Sequence, residues 1–275
     1  MKKSFIYGLF AIALASCSNN KEEKKANLQT NNQVEGFETT LEKARQIFKI
    51  PPNIAKNSKN PITEEKVALG KMLYFNNRLS KDNTQSCNTC HNLNTFGVDN
   101  NSFSKGNDGG LGGRNSPTTL NAALHLAQFW DGREPDVEAQ AGDPILNPVE
   151  MAMPSKAAVV SKLSKIREYR ELFKKAFPEE KSPITYDNLQ KAIGTFEREL
   201  ITFSKFDDFL SGDDNALSQK EKKGLHTFIN AGCTTCHSGD VIGGKMYQKF
   251  GLFDDYWKHT KSTKIDNGKF DVIPV

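Results

Sequence analysis

Two pentapeptides carry the chemistry legible in this chain: Cys87-Asn-Thr-Cys90-His91 and Cys233-Thr-Thr-Cys236-His237. Cys-x-x-Cys-His is the attachment pattern of c-type haem, in which the two thiols add across the porphyrin vinyl groups. The histidine that follows binds the iron as proximal ligand. Four of the five cysteines are used in this way. Four exported thiols could instead form disulfides, in three possible connectivities, or close one structural zinc site. Neither rival needs a histidine directly after each second cysteine. The pattern therefore points to two covalent haems held by Cys87, Cys90, His91, Cys233, Cys236 and His237.

The fifth cysteine has a different context. Met1-Lys2-Lys3, an apolar run from Phe5 to Ala15 and Leu14-Ala15-Ser16-Cys17 make an export signal too short to span a bilayer as a helix. Cysteine directly after Leu-Ala-Ser resembles the lipobox of bacterial lipoproteins, so residues 1–16 are expected to be a signal peptide and Cys17 a lipid anchor. Residues 17–38, rich in Asn, Lys, Glu, Gln and Thr, cannot bury enough apolar surface to offset their ordering entropy, and read as a flexible tether. Loss of Lys2 and Lys3 lowers the formal charge from +4 to +2. With no dense basic run either, nucleic acid is not an expected partner. The expected location is the periplasm, anchored to a membrane; Ser18 after the anchor favours the outer one.

Capped apolar segments at helical spacing predict an all-α fold. Thr63 caps a helix carrying Val67, Leu69, Leu73 and Tyr74. Ser116-Pro117 predicts a further helix over Thr118 to Phe129. Segments 155–166, 168–177 and 186–203 have three- and four-residue apolar spacing. Polar Asp207 to Asp214 reads as a hinge. Gly70 stands four residues before Tyr74, and Gly224 four before Phe228, each on the helix ahead of a pentapeptide; this faint repeat predicts two cytochrome c-like domains, 39–206 and 207–275. The run Gly106 to Gly113 follows no strand, which argues against a phosphate cradle.

Between the pentapeptides lie Gly113-Arg-Asn-Ser-Pro, Gln128-Phe-Trp-Asp-Gly-Arg133, Glu138-Ala-Gln-Ala141 and Asn147-Pro-Val-Glu-Met151. In order and spacing these resemble the bacterial dihaem cytochrome c peroxidases, from about Ala44 to Val272. The resemblance implies that His91 holds an N-terminal haem where hydrogen peroxide is reduced. His237 would hold a C-terminal haem fed by a small donor protein, a cytochrome c or cupredoxin. It implies Trp130 between the haems, Gln140 and Glu150 lining the distal pocket, Asn115 as a ligand of an interdomain calcium, and allows a homodimer. Breaking the peroxide O–O bond heterolytically requires moving a proton from one oxygen to the other. A carboxylate such as Glu150 can accept and return it, and its ordinary pKa of ~4.3 would leave it ionised at neutral pH. Gln140 can donate a hydrogen bond without competing for that proton.

Two departures stand out. Where many relatives have a histidine in the glycine-rich loop that caps the N-terminal haem, this chain has Asn107. A haem open without prior reduction is therefore expected. The family also continues for several dozen residues beyond Val272, supplying a methionine ligand, further calcium ligands and core, so the second domain is expected to be incomplete at its C-terminus. Met246 lies too near His237 to replace that methionine. Two other functions remain open: a non-peroxidase dihaem oxidase of the methylamine-utilisation type, and an electron-transfer protein that has lost catalysis.

Overall fold

A computed structural model describes residues 41–260 and 265–272. The proposed signal peptide, Cys17 and the tether lie outside the described residues. Among those residues there are no strands, only three isolated bridges, and no helix is long and apolar enough to cross a membrane. Helical residues 41–47 (α1) are followed by α2 (Glu64–Tyr74), α3 (Cys87–Cys90), α4 (Val137–Gln140), α5 (Asp143–Leu146), α6 (Lys156–Ser164), α7 (Arg167–Ala176) and α8 (Tyr186–Glu197). Then come α9 (Lys205–Ser211), α10 (Gln219–Asn230) and α11 (Tyr256–Thr260).

The first haem motif hangs on α2, α7 and α8. Thr63 Oγ1 accepts the Lys66 N–H, and Glu64 and Glu65 place negative charge on the first turn of α2. The buried face of α2, with Leu69, Leu73 and Tyr74, packs with Tyr169 and Phe173 of α7 and Leu189, Ile193 and Phe196 of α8. Each large apolar side chain buried in this way contributes about 1.5–3 kcal/mol relative to exposure. The crossing depends on Gly70, where a Cβ would collide with the Ala192 backbone carbonyl of α8. Gly70→Val is expected to lower stability by at least about 1–3 kcal/mol, seen as a fall in the denaturation midpoint; an unchanged midpoint would mean that the helices do not cross there. At Gly224, by contrast, nothing among the described residues lies within 4 Å of such a Cβ. The repeat is thus present in sequence, but only its first copy has a crossing partner here.

A second cluster joins Ala44 and Phe48 to Leu210, with Phe206, Leu225 and Phe228 packed on it. Residues 41–48 fall in the first domain by linear division, yet Ala44, Ile47 and Phe48 pack with α9 and α10. Main-chain bonds Lys49 N–H to Gly239 O (3.2 Å) and Gly239 N–H to Ile47 O (3.0 Å) fasten them beside the second pentapeptide.

Three expected elements differ. No helix forms over Thr118 to Phe129, where only Ala122–Leu124 makes a short 3₁₀ turn. Asn121 adopts φ 60°, and its side chain exchanges two hydrogen bonds with Thr202, which pulls the chain out of helical register. The helix expected to reach 203 stops at Glu197, because Arg198 turns inward to Glu138. The expected hinge at Asp207 to Asp214 is largely α9, closed by a capping box between Ser204 and Asp207 and ended by Gly212 at φ 122°.

Candidate functional site

Each pentapeptide makes a helical turn that presents its histidine with one nitrogen engaged. Ser86 caps α3, so Cys87 and Cys90 sit one turn apart with His91 at the end. His91 Nδ1 lies 2.9 Å from Pro117 O, and His237 Nδ1 lies 3.1 Å from Ile242 O. A carbonyl can only accept, so each Nδ1 carries the proton and each Nε2 keeps its lone pair for a metal. Burial pushes the His91 pKa down, which keeps the imidazole neutral and able to ligate. Tyr74 braces the same turn by donating its hydroxyl to His91 O at 2.6 Å. The Phe228 ring lies edge-on to His237 at 5.9 Å, so α10 braces the second turn.

None of the four motif cysteines pairs in a disulfide. Burial pushes the Cys87 and Cys90 thiols up, away from the thiolate that metal binding and disulfide exchange need. Among the described residues no three His, Cys, Asp or Glu side chains gather into a metal-sized group, so the pairs do not converge on a zinc. Paired cysteines, each followed by a histidine whose Nδ1 is held by a main-chain carbonyl, fit a covalent haem. Asn115, expected as a calcium ligand, is exposed, its carbonyl accepts the Trp130 indole N–H at 3.0 Å, and among the described residues no group of three acidic, histidine or cysteine side chains gathers beside it.

Glu150 lies on the turn after α5, partly buried. Burial pushes its carboxyl pKa up, opposed by Arg133 and Asn147 and reinforced by Asp143. This corrects the expectation of an ordinary carboxylate. The glycine-rich run is bound to it: the Asn107 N–H donates to Glu150 O at 2.6 Å, and a Cβ at Gly106 would collide with Val149 O. That close approach explains a glycine at 106 with no phosphate to cradle. The Asn107 side chain turns the other way, bonding Asp82, Thr84 and Asp108. Gln140 ends α4, half-buried, and its amide has no protein partner among the described residues.

Trp130 is 57 % exposed rather than a core filler. It stands where the two halves meet: Leu126 N–H donates to Gly244 O, Lys245 to Leu124 O, and Gly132 lies against the Tyr247 ring. His125 packs on Gly244, as befits a packing histidine. His226 bonds Asn230, and His259 pairs with Asp254.

Two ionic features escaped the sequence reading. Glu138 and Arg198 form a buried two-pronged pair (2.7 and 2.6 Å), joined by Asn60, that pins α4 to α8. Arg114 bonds Asp131 and grips both oxygens of Asp266, while Arg133 also reaches Asp131. A glutamate two residues ahead of Gln140 and an arginine beside Asn115 were the available signals. Neither type reveals its partner from spacing.

Helical packing and two braced Cys-x-x-Cys-His turns define a cytochrome-like protein with two c-type haem-attachment centres. The family described as di-haem cytochrome c peroxidase matches residues 64–215, more than half of the chain. The chain belongs to that family. It is 45 % identical over 213 residues to a cytochrome c551 peroxidase of Pseudomonas aeruginosa, covering 77 % of this chain and 61 % of that one. It is 46 % identical to a cytochrome c551 peroxidase of Nitrosomonas europaea, over 77 % and 62 %. A solved MauG-like protein associated with microbial copper homeostasis superposes with a TM-score of 0.68 at 28 % identity, over 81 % of this chain and 68 % of that one. The chain spans about three fifths of the length of the two peroxidases.

Proposed function

We propose that this protein reduces hydrogen peroxide to water at a haem held by Cys87, Cys90 and His91, using electrons that enter through a haem held by Cys233, Cys236 and His237. The reading rests above all on Glu150, a partly buried carboxyl whose burial pushes its pKa up, on the turn fastened to the loop of Asn107. The peroxidase relatives at 45 and 46 % identity support it over a methylamine-utilisation type of oxidation. The electron donor is a small cytochrome or cupredoxin, and Cys17 anchors the protein by lipid in the periplasm, at the outer membrane.

The haem supplies the iron and the electrons. Everything else is done by side chains. His91, held by Pro117 O, offers Nε2 as ligand. Glu150 accepts a proton from one peroxide oxygen and returns it to the other. Burial pushes its pKa up, nearer the working pH than that of an exposed glutamate, which favours both taking and returning the proton. The Gln140 amide donates to the peroxide and orients it, and the Trp130 indole, fixed by Asn115 O, stands on the path between the two centres. Steady-state assays with a reduced small cytochrome should show saturable peroxide consumption at two electrons per peroxide. A protein with both haems attached but no such consumption would refute the proposal.

Asn107 yields a second expectation. Its side chain is spent on Asp82, Thr84 and Asp108, and an amide is a poor iron ligand. The oxidised resting protein should therefore show a high-spin component and bind peroxide without prior reduction. A purely low-spin, bis-histidine resting spectrum for the first haem would contradict this.

A further inference from the structure

The loop after the second pentapeptide contains a strained turn. Ile242 has φ 52°, Gly243 φ 144° and Gly244 φ 71°, so the backbone stays in the left-handed half of its space from 242 to 244. Glycine enters that region freely, whereas a β-branched residue does so only where its surroundings impose it. The carbonyl of the strained residue is the one the site uses: Ile242 O accepts the His237 Nδ1 proton at 3.1 Å. One further bond ties the turn to its own pentapeptide, from Gly243 N–H to Ser238 O at 3.0 Å. Its far end is held from the other half of the molecule. Gly244 O accepts the Leu126 N–H at 2.8 Å, and Lys245 Nζ donates to Leu124 O at 2.8 Å. The His125 ring lies so close to Gly244 that a Cβ there would stand 2.6 Å from His125 Cδ2.

We propose that residues 124–126 clamp this turn, with His125 and Lys245 as positioning residues, so that Ile242 O stays on His237 and lowers the reduction potential of the second haem. A carbonyl on Nδ1 draws the proton away from the ring, which makes Nε2 a stronger donor to iron and favours the oxidised state. Without the clamp, Ile242 would relax out of the left-handed region, swing its carbonyl and leave His237 without its acceptor. The first centre has no such dependence. The acceptor for His91 is Pro117 O, on a residue whose own ring fixes φ. The proposal rests on haem attachment at Cys233, Cys236 and His237, and not on peroxide reduction.

The test uses the haem-loaded protein without peroxide. Gly244→Ala changes no charge but drives a methyl group into His125. It should raise the midpoint potential of the second haem, followed by spectroelectrochemistry. It should also speed solvent exchange of the His237 Nδ1 proton, followed by NMR with isotope-labelled histidine, by about two- to tenfold, the worth of one hydrogen bond. The same two readouts at the first haem and His91 should stay put. Adding His125→Ala removes the obstructing ring and should restore most of both shifts. Burial, then the Lys245 charge, pushes the His125 pKa down, so this second change removes no charge at neutral pH. Lys245→Met separates the clamp from plain electrostatics. Losing the cation that pairs with Asp240 at 3.3 Å would by charge alone lower the second potential, whereas a loosened clamp raises it. If Gly244→Ala fails to retain the second haem, Lys245→Met decides alone. The clamp is overturned by unmoved readouts in haem-loaded Gly244→Ala, by a shift that His125→Ala fails to reverse, or by a second potential that falls or stays in Lys245→Met.

Discussion

Glu150→Gln is expected to cut peroxide turnover by about a hundred- to ten-thousand-fold, the usual worth of a positioned acid–base group. Glutamine keeps the shape and one hydrogen-bond donor but can neither take nor release the proton. The substitution should leave both haems attached, because Glu150 touches neither pentapeptide by hydrogen bond and its main-chain links to Asn107 and Asn147 survive. The wild-type rate should fall on the acid side as Glu150 is protonated. Burial places that limb above the ordinary glutamate range, so it should be visible in mildly acidic buffers. Turnover that persists in the variant, with the same pH profile, would remove Glu150 from the mechanism.

Arg198→Met is expected to destabilise the first domain by about 3–5 kcal/mol, since it leaves the Glu138 carboxylate buried without its partner. Burial alone would push the Glu138 pKa up, but hydrogen bonds from Arg198 and Asn60 hold it below the carboxylate range. A depressed folded-state pKa contributes stability above the unfolded value, near ~4.3, and that stability is lost as pH falls through the folded value. The difference in denaturation midpoint between wild type and variant should therefore be largest at neutral pH and shrink below about pH 4. Because the pair fixes α4, the variant should also raise KM for peroxide through Gln140. Next door, Glu197 is 4 % exposed, and its pKa is pushed up to about 8, first by burial and then by the Glu138 charge. Here the sign reverses. Its favourable contribution is complete below the unfolded value and is lost as pH rises toward 8, so Glu197→Gln should raise the midpoint at pH 8 and not at pH 4. A gain at both pH values would show that Glu197 is not held protonated.

The haem motifs, Thr63, Gly70 and the helices over 156–176 were legible because they rest on local rules: capping, periodicity and contiguous ligands. The segment from Thr118 to Phe129 was not. Ser-Pro ahead of apolar residues looks like a helix start, but the Asn121–Thr202 clasp competes with it from far away in sequence. The same holds for Glu138–Arg198 and for the Arg114–Asp131–Asp266 chain, whose partners come together only through the fold. Glu150 and Gln140 were found through a family pattern; what sequence could not supply was the burial that shifts Glu150 or the turn of Asn107 away from it.

The most direct test mixes the fully reduced, two-haem protein with one equivalent of hydrogen peroxide in a stopped-flow spectrometer, with no donor present. Two haem electrons should be consumed per peroxide, rapidly in the wild type and far more slowly in Glu150→Gln. Reduced haems that remain reduced in the presence of peroxide, or that oxidise equally fast in the variant, would contradict it.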